Sequence, residues 1–521
     1  MRGTGGSRSG VLQWVIVLVV GVLDVTVVLG LNLIPRLNAG QNVLDAARPA
    51  FAPERVTGAR AGINLISKNV DTADPIVTAD GGAAAEVPKL VGFVSDKTGL
   101  SQAAVVGALQ KNFPHTLALL QTIPLSSVTS ELPKLLTFLE GALKISQADL
   151  LAALKQNFPH LAQAIVNLPT VTNGWSSIQG IDGLTRFDGT PVKSVPDLRT
   201  YFGSDLIPVI ETQRKNFESL DGTSTVNWIA PLLLIVGFVV IAFAVLMIAL
   251  NLRGPLPRGP AMAAASVVPV VGIGVVALVL VISLVPRVSN GQKLLDALRP
   301  TTPLERVHGD RAGITMVSAI ADTEDPIMTE QGGAAAEVPK LVGFVSEKTG
   351  LSQAAVIGAL KKNFPHTLAL LQAIPLSSVT SEIPGLLTFL EKALKVSQAQ
   401  LMAALGDNFP RLAQAITNLP AVTNGWNDVP GANGMTRFDG SPVKSVPDVR
   451  SYFSADVIPV LEKQRDNYNK LMETSKINFI GPLVLIVGLI VIVYGLLMLF
   501  LASRLEPRPR AMATPAPSPA T

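Results

Sequence analysis

The sequence predicts an all-α membrane protein with four transmembrane helices and two mostly α-helical extracytoplasmic domains. Three observations lead to this fold class. The mean hydropathy is +0.42, which is too apolar for an ordinary soluble protein. Four long apolar stretches interrupt the chain. The second half repeats the first without a gap at a shift of 251 residues, which we interpret as a tandem duplication.

The apolar stretches are each about 23 residues long, enough to cross a hydrocarbon core of about 30 Å. Basic residues precede the first stretch, as in a signal peptide, but its counterpart in the repeat lies in the middle of the chain. We therefore predict an uncleaved anchor. The predicted spans are residues 11–34, 228–250, 263–285 and 479–502. Small residues that permit close helix approach lie within them: Gly237, Gly272, Gly274 and Gly488.

The short segments outside the spans are rich in arginine and almost free of acidic residues. The positive-inside rule therefore predicts that the tail 1–10, the linker 251–262 and the tail 503–521 are cytoplasmic. The last of these is rich in Pro, Ala and Ser and is predicted to be disordered. The two outer helical domains, 35–227 and 286–478, are then predicted to lie outside the plasma (inner) membrane.

The two halves of the chain are predicted to be parallel repeats. Residues 81–95 recur unchanged at 332–346. Both halves run span, domain, span in the same orientation. This order predicts a pseudo-two-fold axis along the membrane normal.

A shorter repeat of 45 residues occurs twice in each half. In its first copy, Ser101 is a candidate N-cap, and Pro114 breaks one helix and begins the next. Phe113 falls at the corner between them. The corner can be read as a ligand-gripping site or as a structural joint with a core phenylalanine, and we favour the joint. The four corner residues are Phe113, Phe158, Phe364 and Phe409.

Two polar segments offer candidate sites. Residues 71–82 are predicted to be a loop, in which Asp71 and Asp74 allow a weak calcium site. Asp322, Glu324 and Asp325 form the corresponding acidic group in the second half. A solvated loop is favoured over calcium binding in both places. Further on, a small hairpin is predicted around an Asp-Gly turn. Its Arg186 and Asp188 are expected to pair across the hairpin, with anion or partner binding as the alternative.

Composition argues against most catalytic and nucleic-acid chemistry. The chain has no cysteine, so disulfides and thiolate sites are excluded. It carries no zinc-protease, nucleophile-elbow or phosphate-loop pattern. The fourth corner has Arg411 where the other three have histidine, which excludes a metal site common to all copies. A net charge of +4 without a basic–aromatic cluster disfavours nucleic acid. We expect a non-enzymatic protein without cofactor or metal.

Asp24 lies near the middle of the first span, where burying a carboxylate costs about 3 kcal/mol. Its counterpart in the third span is Val275, so the repeat does not require the charge. Candidate hydrogen-bond partners are Ser283, Tyr494 or a polar group of another protein. Asp24 can be read as a docking or proton-handling residue, or as a protonated carboxyl satisfied within the helix bundle.

The Leu-Ser-Gln and Asn-Phe-Pro segments, such as Ser101-Gln102 and Asn112-Phe113-Pro114, resemble those of uncharacterised actinobacterial envelope membrane proteins. Those proteins have an anchor, an α-helical outer domain and a second anchor. The resemblance implies a cell-envelope location and no particular activity.

The sequence is thus interpreted as a scaffold or accessory subunit of a membrane complex, with the bilayer and other membrane or envelope proteins as partners. A lipid ligand in an apolar groove of the outer domains, lined by Phe113, Leu117, Phe158 and Phe187, is a further expectation. The alternative is a transporter or channel component that uses Asp24, and a hydrolase or transferase is the least favoured class. Partner or lipid contacts are predicted at Asp24, Phe113, Leu117, Phe158, Phe187, Phe364, Phe409 and Phe438.

Overall fold

A computed structural model describes residues 5–77, 83–122, 125–221, 227–254, 256–301, 304–328, 334–373, 376–472 and 477–504. The described residues are almost entirely helical and contain no strand. Two isolated antiparallel bridges, Thr185 with Pro191 and Thr436 with Pro442, close the small hairpins predicted at these positions. The predicted helical fold class is therefore confirmed.

The first half contributes helices α1 to α12. Their bounds are α1 Gly5–Gly30, α2 Leu33–Ala47, α3 Pro53–Val77, α4 Ala83–Thr98, α5 Gln102–Asn112, α6 Pro114–Thr122, α7 Leu125–Leu143, α8 Gln147–Asn157, α9 Pro159–Gly174, α10 Val195–Thr200, α11 Ile207–Asp221 and α12 Ile229–Arg253. A π-helical turn, Tyr201–Leu206, joins α10 to α11.

The second half contributes α13 to α24 in the same order, so each helix of the first half has its counterpart twelve helices later. The bounds are α13 Arg258–Val281, α14 Leu284–Leu298, α15 Leu304–Met328, α16 Ala334–Thr349, α17 Gln353–Asn363, α18 Pro365–Ala373, α19 Leu376–Leu394, α20 Gln398–Asn408, α21 Pro410–Gly425, α22 Val446–Ser451, α23 Ile458–Met472 and α24 Ile480–Ser503.

The described residues contain four helices that are long and apolar enough to cross a membrane. They are Val11–Gly30, Ile229–Arg253, Arg258–Val281 and Ile480–Ser503. The first and third end four residues earlier than predicted, because Asn32 and Ser283 adopt a left-handed backbone with φ of 51°. That conformation lies outside the right-handed helical region and so interrupts the helix at both positions.

The predicted loop at residues 71–82 is partly wrong. Helix α3 continues through Asp71 and Asp74 to Val77, and residues 78–82 lie outside the described part of the chain. Both aspartates have side-chain partners in their own half, and Asp74 also lies 3.7 Å from Arg411 of the other half. Asp71 pairs with Arg199, and Asp74 accepts a hydrogen bond of 2.7 Å from the Trp175 indole. These bonds favour a helix where the polar sequence suggested solvent.

The chain forms two compact units. The four-span unit comprises the described parts of Met1–Arg48, Gln213–Arg299 and Lys463–Thr521. The helical unit comprises Pro49–Thr212 and Pro300–Glu462. We expected two outer domains, 35–227 and 286–478, one from each half. Instead a single compact unit takes helices from both halves, because their apolar faces pack across the repeat.

Within the helical unit, each half packs its long helix against the other half. A Cβ atom on Gly62 of α3 would lie 2.6 Å from the Val449 side chain, and one on Gly313 of α15 would lie 2.6 Å from Leu198. Trp175 and Trp426 are buried in the same apolar cluster. The absence of a side chain at these glycines therefore lets the two halves interlock.

Within the four-span unit, α1 packs antiparallel to α12, and α13 packs antiparallel to α24. Glycines lie where the paired helices cross. This is expected in a membrane, because lipid is as apolar as the helices and their association depends on close packing. A Cβ atom on Gly272 would lie 2.9 Å from the Ile492 amide nitrogen and 3.0 Å from the Gly488 carbonyl oxygen. A Cβ atom on Gly274, two residues along the same helix, would meet nothing within 4 Å.

Buried arginines connect the halves in this unit as well. The Arg36 guanidinium donates 2.8 and 3.3 Å hydrogen bonds to the Leu471 carbonyl, and Arg287 donates a 2.9 Å bond to the Leu220 carbonyl. Each arginine follows a span of its own half and binds the end of a helix from the other half. A cation is well placed there, because the carbonyl end of a helix carries partial negative charge.

The Gly272→Leu variant is expected to lose about 2 kcal/mol of stability, because the added side chain overpacks the α13–α24 contact. Gly274→Leu is the matched control and should remain close to the unchanged protein. Thermal unfolding in detergent measures the difference. Equal melting temperatures for the two variants would refute the proposed close contact.

Candidate functional site

Each Asn-Phe-Pro corner joins two helices at a buried phenylalanine. Ser101 accepts a 3.2 Å hydrogen bond from the Ala104 amide and so caps α5, as predicted. Phe113 lies between the helices with φ of −140°, and Pro114 begins α6. Phe113 is 8% exposed, and Phe158, Phe364 and Phe409 are each 4% exposed. The four rings therefore belong to the core.

Every corner ring contacts a phenylalanine from the other half. The rings face each other edge-on or tilted, the favourable geometry for aromatic pairs. The centroid distances are 5.7 Å for Phe113 with Phe389, 5.9 Å for Phe409 with Phe93, 5.8 Å for Phe158 with Phe344, and 5.5 Å for Phe364 with Phe138.

A glutamate from the other half caps the helix that follows each corner. The Glu382 carboxylate accepts hydrogen bonds from the amides of His115 at 3.3 Å and Thr116 at 2.8 Å. Equivalent pairs of bonds join Glu131 to His366 and Thr367, Glu337 to His160 and Leu161, and Glu86 to Arg411 and Leu412.

These caps satisfy helix N–H groups that have no intrahelical partner, and they place negative charge at the positive end of the helix. Two of the corner histidines also cross between the halves. His115 Nδ1 lies 2.8 Å from the Gln372 carbonyl oxygen, and His366 Nδ1 lies 2.9 Å from that of Gln121. Because the corner amides are already bonded, the geometry supports the structural interpretation over the ligand-gripping one.

The caps define four three-helix copies of the shorter repeat, each beginning at its glutamate-bearing helix. The first copy is α4–α6, the second α7–α9, the third α16–α18 and the fourth α19–α21. The first copy exchanges caps with the fourth, and the second with the third. Each exchange pair encloses one apolar cluster.

The single groove predicted from Phe113, Leu117, Phe158 and Phe187 does not form. Phe113 and Leu117 lie in the cluster of the first and fourth copies, and Phe158 lies in that of the second and third. Phe187 packs against a third cluster around the tryptophans. The expectation failed because the copies pair between halves, which separates residues that are close in sequence.

Two cavities replace that groove. The larger, of about 140 Å³, lies beside the second and third copies, with leucines such as Leu135, Leu139 and Leu154 in its wall. The smaller, of about 80 Å³, lies beside the first and fourth copies and includes Phe113 and Leu117.

Most of the polar lining of the larger cavity, which we call its polar end, comes from two helices. These side chains are Asn69 and Thr72 of α3 and Thr323 and Glu324 of α15. Thr367 of α18 also lines the cavity, but its hydroxyl donates to Glu131. The Asn69 amide donates a hydrogen bond to the Glu324 carboxyl. Burial raises the pKa of Glu324 to about 8, and the Asn69 hydrogen bond partly opposes this rise. At neutral pH the carboxyl therefore carries a proton.

Another carboxyl on the same helix is fully buried. Asp310 is 1% exposed, and both of its oxygens lack a hydrogen bond of normal geometry within the described residues. Burial raises its pKa to about 7, while the nearby Tyr201 hydroxyl and Arg306 guanidinium oppose the rise. The counterpart of Asp310 in the first half is Ala59, so the repeat does not need this charge either.

The hairpin arginine has a different main partner from the predicted one. Arg186 makes two hydrogen bonds to Asp205, of 2.9 and 3.1 Å, whereas Asp188 lies 3.7 Å away. The half-buried Phe187 lies under the Arg306 guanidinium, 5.6 Å from the ring centroid. Phe438 lies equivalently under Arg55 at 5.1 Å. These residues join the hairpin of one half to the long helix of the other.

Asp24 lines a cavity of about 240 Å³ between the two helix pairs of the four-span unit. The other lining residues are uncharged. Tyr494 also lines this cavity, but its hydroxyl donates a 2.8 Å hydrogen bond to the Gln13 carbonyl. Ser283 lies in the left-handed link after α13 and is not part of the lining. Neither residue forms the predicted hydrogen bond with Asp24 in the described part of the chain.

The sequence reasoning overlooked the four capping glutamates and Asp310. It placed Glu324 in a solvated acidic loop, whereas this residue lies on α15 and lines a cavity. A signal for the glutamates was present, because each begins a Glu-x-Pro-x-Leu segment at the repeat spacing, as in residues 86–90. A signal for Asp310 and Glu324 was their replacement by Ala59 and Ala73 in the first half. The same comparison had singled out Asp24.

Glu337→Ala is expected to lower the stability of the protein by about 2 kcal/mol, because two helix N–H groups lose their acceptor. Glu347→Ala, at an exposed position on the same helix, is the control and should change stability little. Chemical unfolding followed by circular dichroism compares the two. Similar losses in both variants would contradict the capping role of Glu337.

Stability is expected to fall as pH rises from about 4.5 to about 8. The folded-state pKa values of Asp310 and Glu324 lie above the ordinary 3.8 and 4.5, so in this window the folded state binds more protons than the unfolded state. Each group contributes a slope of at most about 1.4 kcal/mol per pH unit.

The double variant Asp310→Asn and Glu324→Gln should flatten this dependence, as measured by melting temperature against pH. Asp96→Asn, which changes an exposed carboxyl on α4, is the control and should retain the slope. A double variant as pH-sensitive as the unchanged protein would show that other groups set the dependence.

Comparisons of the chain with protein-family models, curated proteins and solved structures found no match. The resemblance to actinobacterial envelope proteins therefore remains an expectation from the sequence. The functional proposal rests on the cavities, the buried carboxyl groups and the four apolar helices.

Proposed function

We propose that this protein is a non-enzymatic integral membrane protein of the cell envelope, an accessory or scaffold subunit whose helical unit binds lipid. The observation that carries the proposal is the pair of leucine-lined cavities in a unit attached to four span-length helices. Apolar cavities with few polar groups are typical of sites for apolar ligands.

The proposed topology places both termini in the cytoplasm and the helical unit outside. It is supported by the arginines in the three short segments outside the spans, among them Arg253, Arg258 and Arg504. With an even number of spans, this assignment is self-consistent. The helical unit would then meet envelope lipids or the outer parts of partner proteins.

The roles of the acidic residues support a non-enzymatic function. The four repeated glutamates are occupied as helix caps, and Asp205 and Asp456 are bonded to the hairpin arginines. The halves also interlock closely within the helical unit, which is compatible with a scaffold role.

Native mass spectrometry of the gently extracted protein tests the proposal. We expect bound lipid that survives extraction, together with copurifying membrane proteins if the accessory role is right. Delipidated protein should bind added phospholipid again in a titration. Protein that emerges lipid-free and binds none on titration would overturn lipid binding, and a lone chain would overturn the accessory role.

A transporter or channel component is the alternative, and the 240 Å³ cavity at Asp24 is the observation that favours it. In this case Asp24 handles the coupled proton. Reconstituted protein should then pass protons across liposome membranes, and Asp24→Asn should reduce this flux at least about tenfold. Asp24→Glu is the control that retains a carboxyl. Equal proton flux through the unchanged protein and Asp24→Asn would contradict the transporter or channel role.

A further inference from the structure

We propose that the larger cavity of the helical unit binds one uncharged amphiphile, whose apolar part fills the leucine-lined space and whose oxygen hydrogen-bonds to Glu324. This inference rests on the proposed lipid-binding function and specifies its site and ligand class. The ligand class is a short alkyl chain or ring that ends in a hydroxyl or ester group.

The size of the cavity sets the apolar part. Its volume of about 140 Å³ is close to the roughly 150 Å³ of an engineered apolar cavity that stays dry and binds benzene. One ring or a chain of about six carbons therefore fits. A longer lipid would place only its end in this space.

The hydrogen-bonding groups at the polar end determine that the ligand's head group must accept a hydrogen bond. Thr72 and Thr323 donate to the Lys68 and Ala319 carbonyls of their own helices, so their hydroxyl protons are used. The Glu324 carboxyl accepts from Asn69 and, while protonated, retains a proton to donate. A ligand oxygen that accepts this proton satisfies the site.

The charge of the cavity excludes other head groups. Its lining contains no lysine or arginine, so an anionic head would be buried without a cation. A cationic head would require Glu324 to ionise in apolar surroundings, which burial opposes. An uncharged head avoids both costs.

The repeat itself shows that the polar pair is not needed for the fold. The counterpart of Glu324 is Ala73, and the counterpart of Asn69 is Ile320. The two polar residues come from different helices, yet they meet at one end of one cavity. Because burying polar groups costs stability, a pair present in only one of two equivalent places indicates a ligand.

The test measures binding of 1-hexanol, hexanoate and hexylamine to the full chain in nanodiscs by calorimetry, with empty nanodiscs as the blank. We expect 1-hexanol to bind at neutral pH at least about tenfold more tightly than either charged probe. Replacing Glu324→Ala together with Asn69→Ile, the residues of the other half, should weaken this binding about fivefold to tenfold.

Ala164 and Ala415 provide a matched pair of cavity-filling variants. They occupy equivalent positions, Ala164 in the larger cavity and Ala415 in the smaller. Ala164→Leu should abolish 1-hexanol binding, while Ala415→Leu should retain it. Melting temperatures of both variants verify that they are folded. If Ala164→Leu does not fold, the double variant Glu324→Ala with Asn69→Ile is the test of the site.

A pH series adds a second readout. The affinity for 1-hexanol should fall as pH rises through about 8, because the ionised carboxylate can no longer donate and draws water into the cavity. In Glu324→Gln the affinity should not change with pH. A flat profile for the unchanged protein would contradict the role of Glu324.

The outcomes separate this inference from the function on which it rests. Retained lipid with no 1-hexanol binding, or binding unaffected by Ala164→Leu, overturns the site and leaves lipid binding standing. Preference for hexanoate or hexylamine overturns the ligand class. Protein that binds neither lipid nor any probe overturns both proposals.

Discussion

The structure depends on helix capping between the two halves of the chain. The helix that follows each Asn-Phe-Pro corner begins with backbone amides that have no acceptor within that helix. A carboxylate from the opposite half provides the acceptor, as Glu86 does for Leu412 and Glu337 does for Leu161. Both glutamates are buried, so losing either partner would leave unsatisfied groups in the core.

Aromatic and arginine contacts also cross between the halves of the helical unit. Corner phenylalanines pair with rings of the other half, and the Arg55 and Arg306 guanidiniums bind the opposite hairpins. Because each half takes helix caps and apolar contacts from the other, we expect the two halves to fold together. The two cavities follow from this packing, since the leucines of paired copies meet around a space that they do not fill.

Positions where the halves differ are the most informative about function. The repeat demonstrates which side chains the architecture tolerates, since Val275, Ala59 and Ala73 stand where Asp24, Asp310 and Glu324 occur in the other half. Each of these acids lies in an apolar environment, and two of them line a cavity. Ionisable groups in apolar cavities concentrate at functional sites, which is why Asp24 and Glu324 carry the functional proposals.

The sequence by itself determined what local chemistry controls: the four apolar helices, the serine caps, the prolines at the corners and the helical class. It also determined which residues repeat and which do not, and so pointed to Asp24. Only the tertiary structure decided that the repeats exchange partners and that Glu324 meets Asn69. It also decided that the predicted groove of Phe113, Phe158 and Phe187 is divided among three clusters. The physical reason is that helix propensity, capping and hydropathy act over a few neighbouring residues, whereas the same amphipathic helix can pack on its own half or on the other. That choice depends on the summed packing and hydrogen bonding of residues far apart in the chain, which a repeat pattern leaves open.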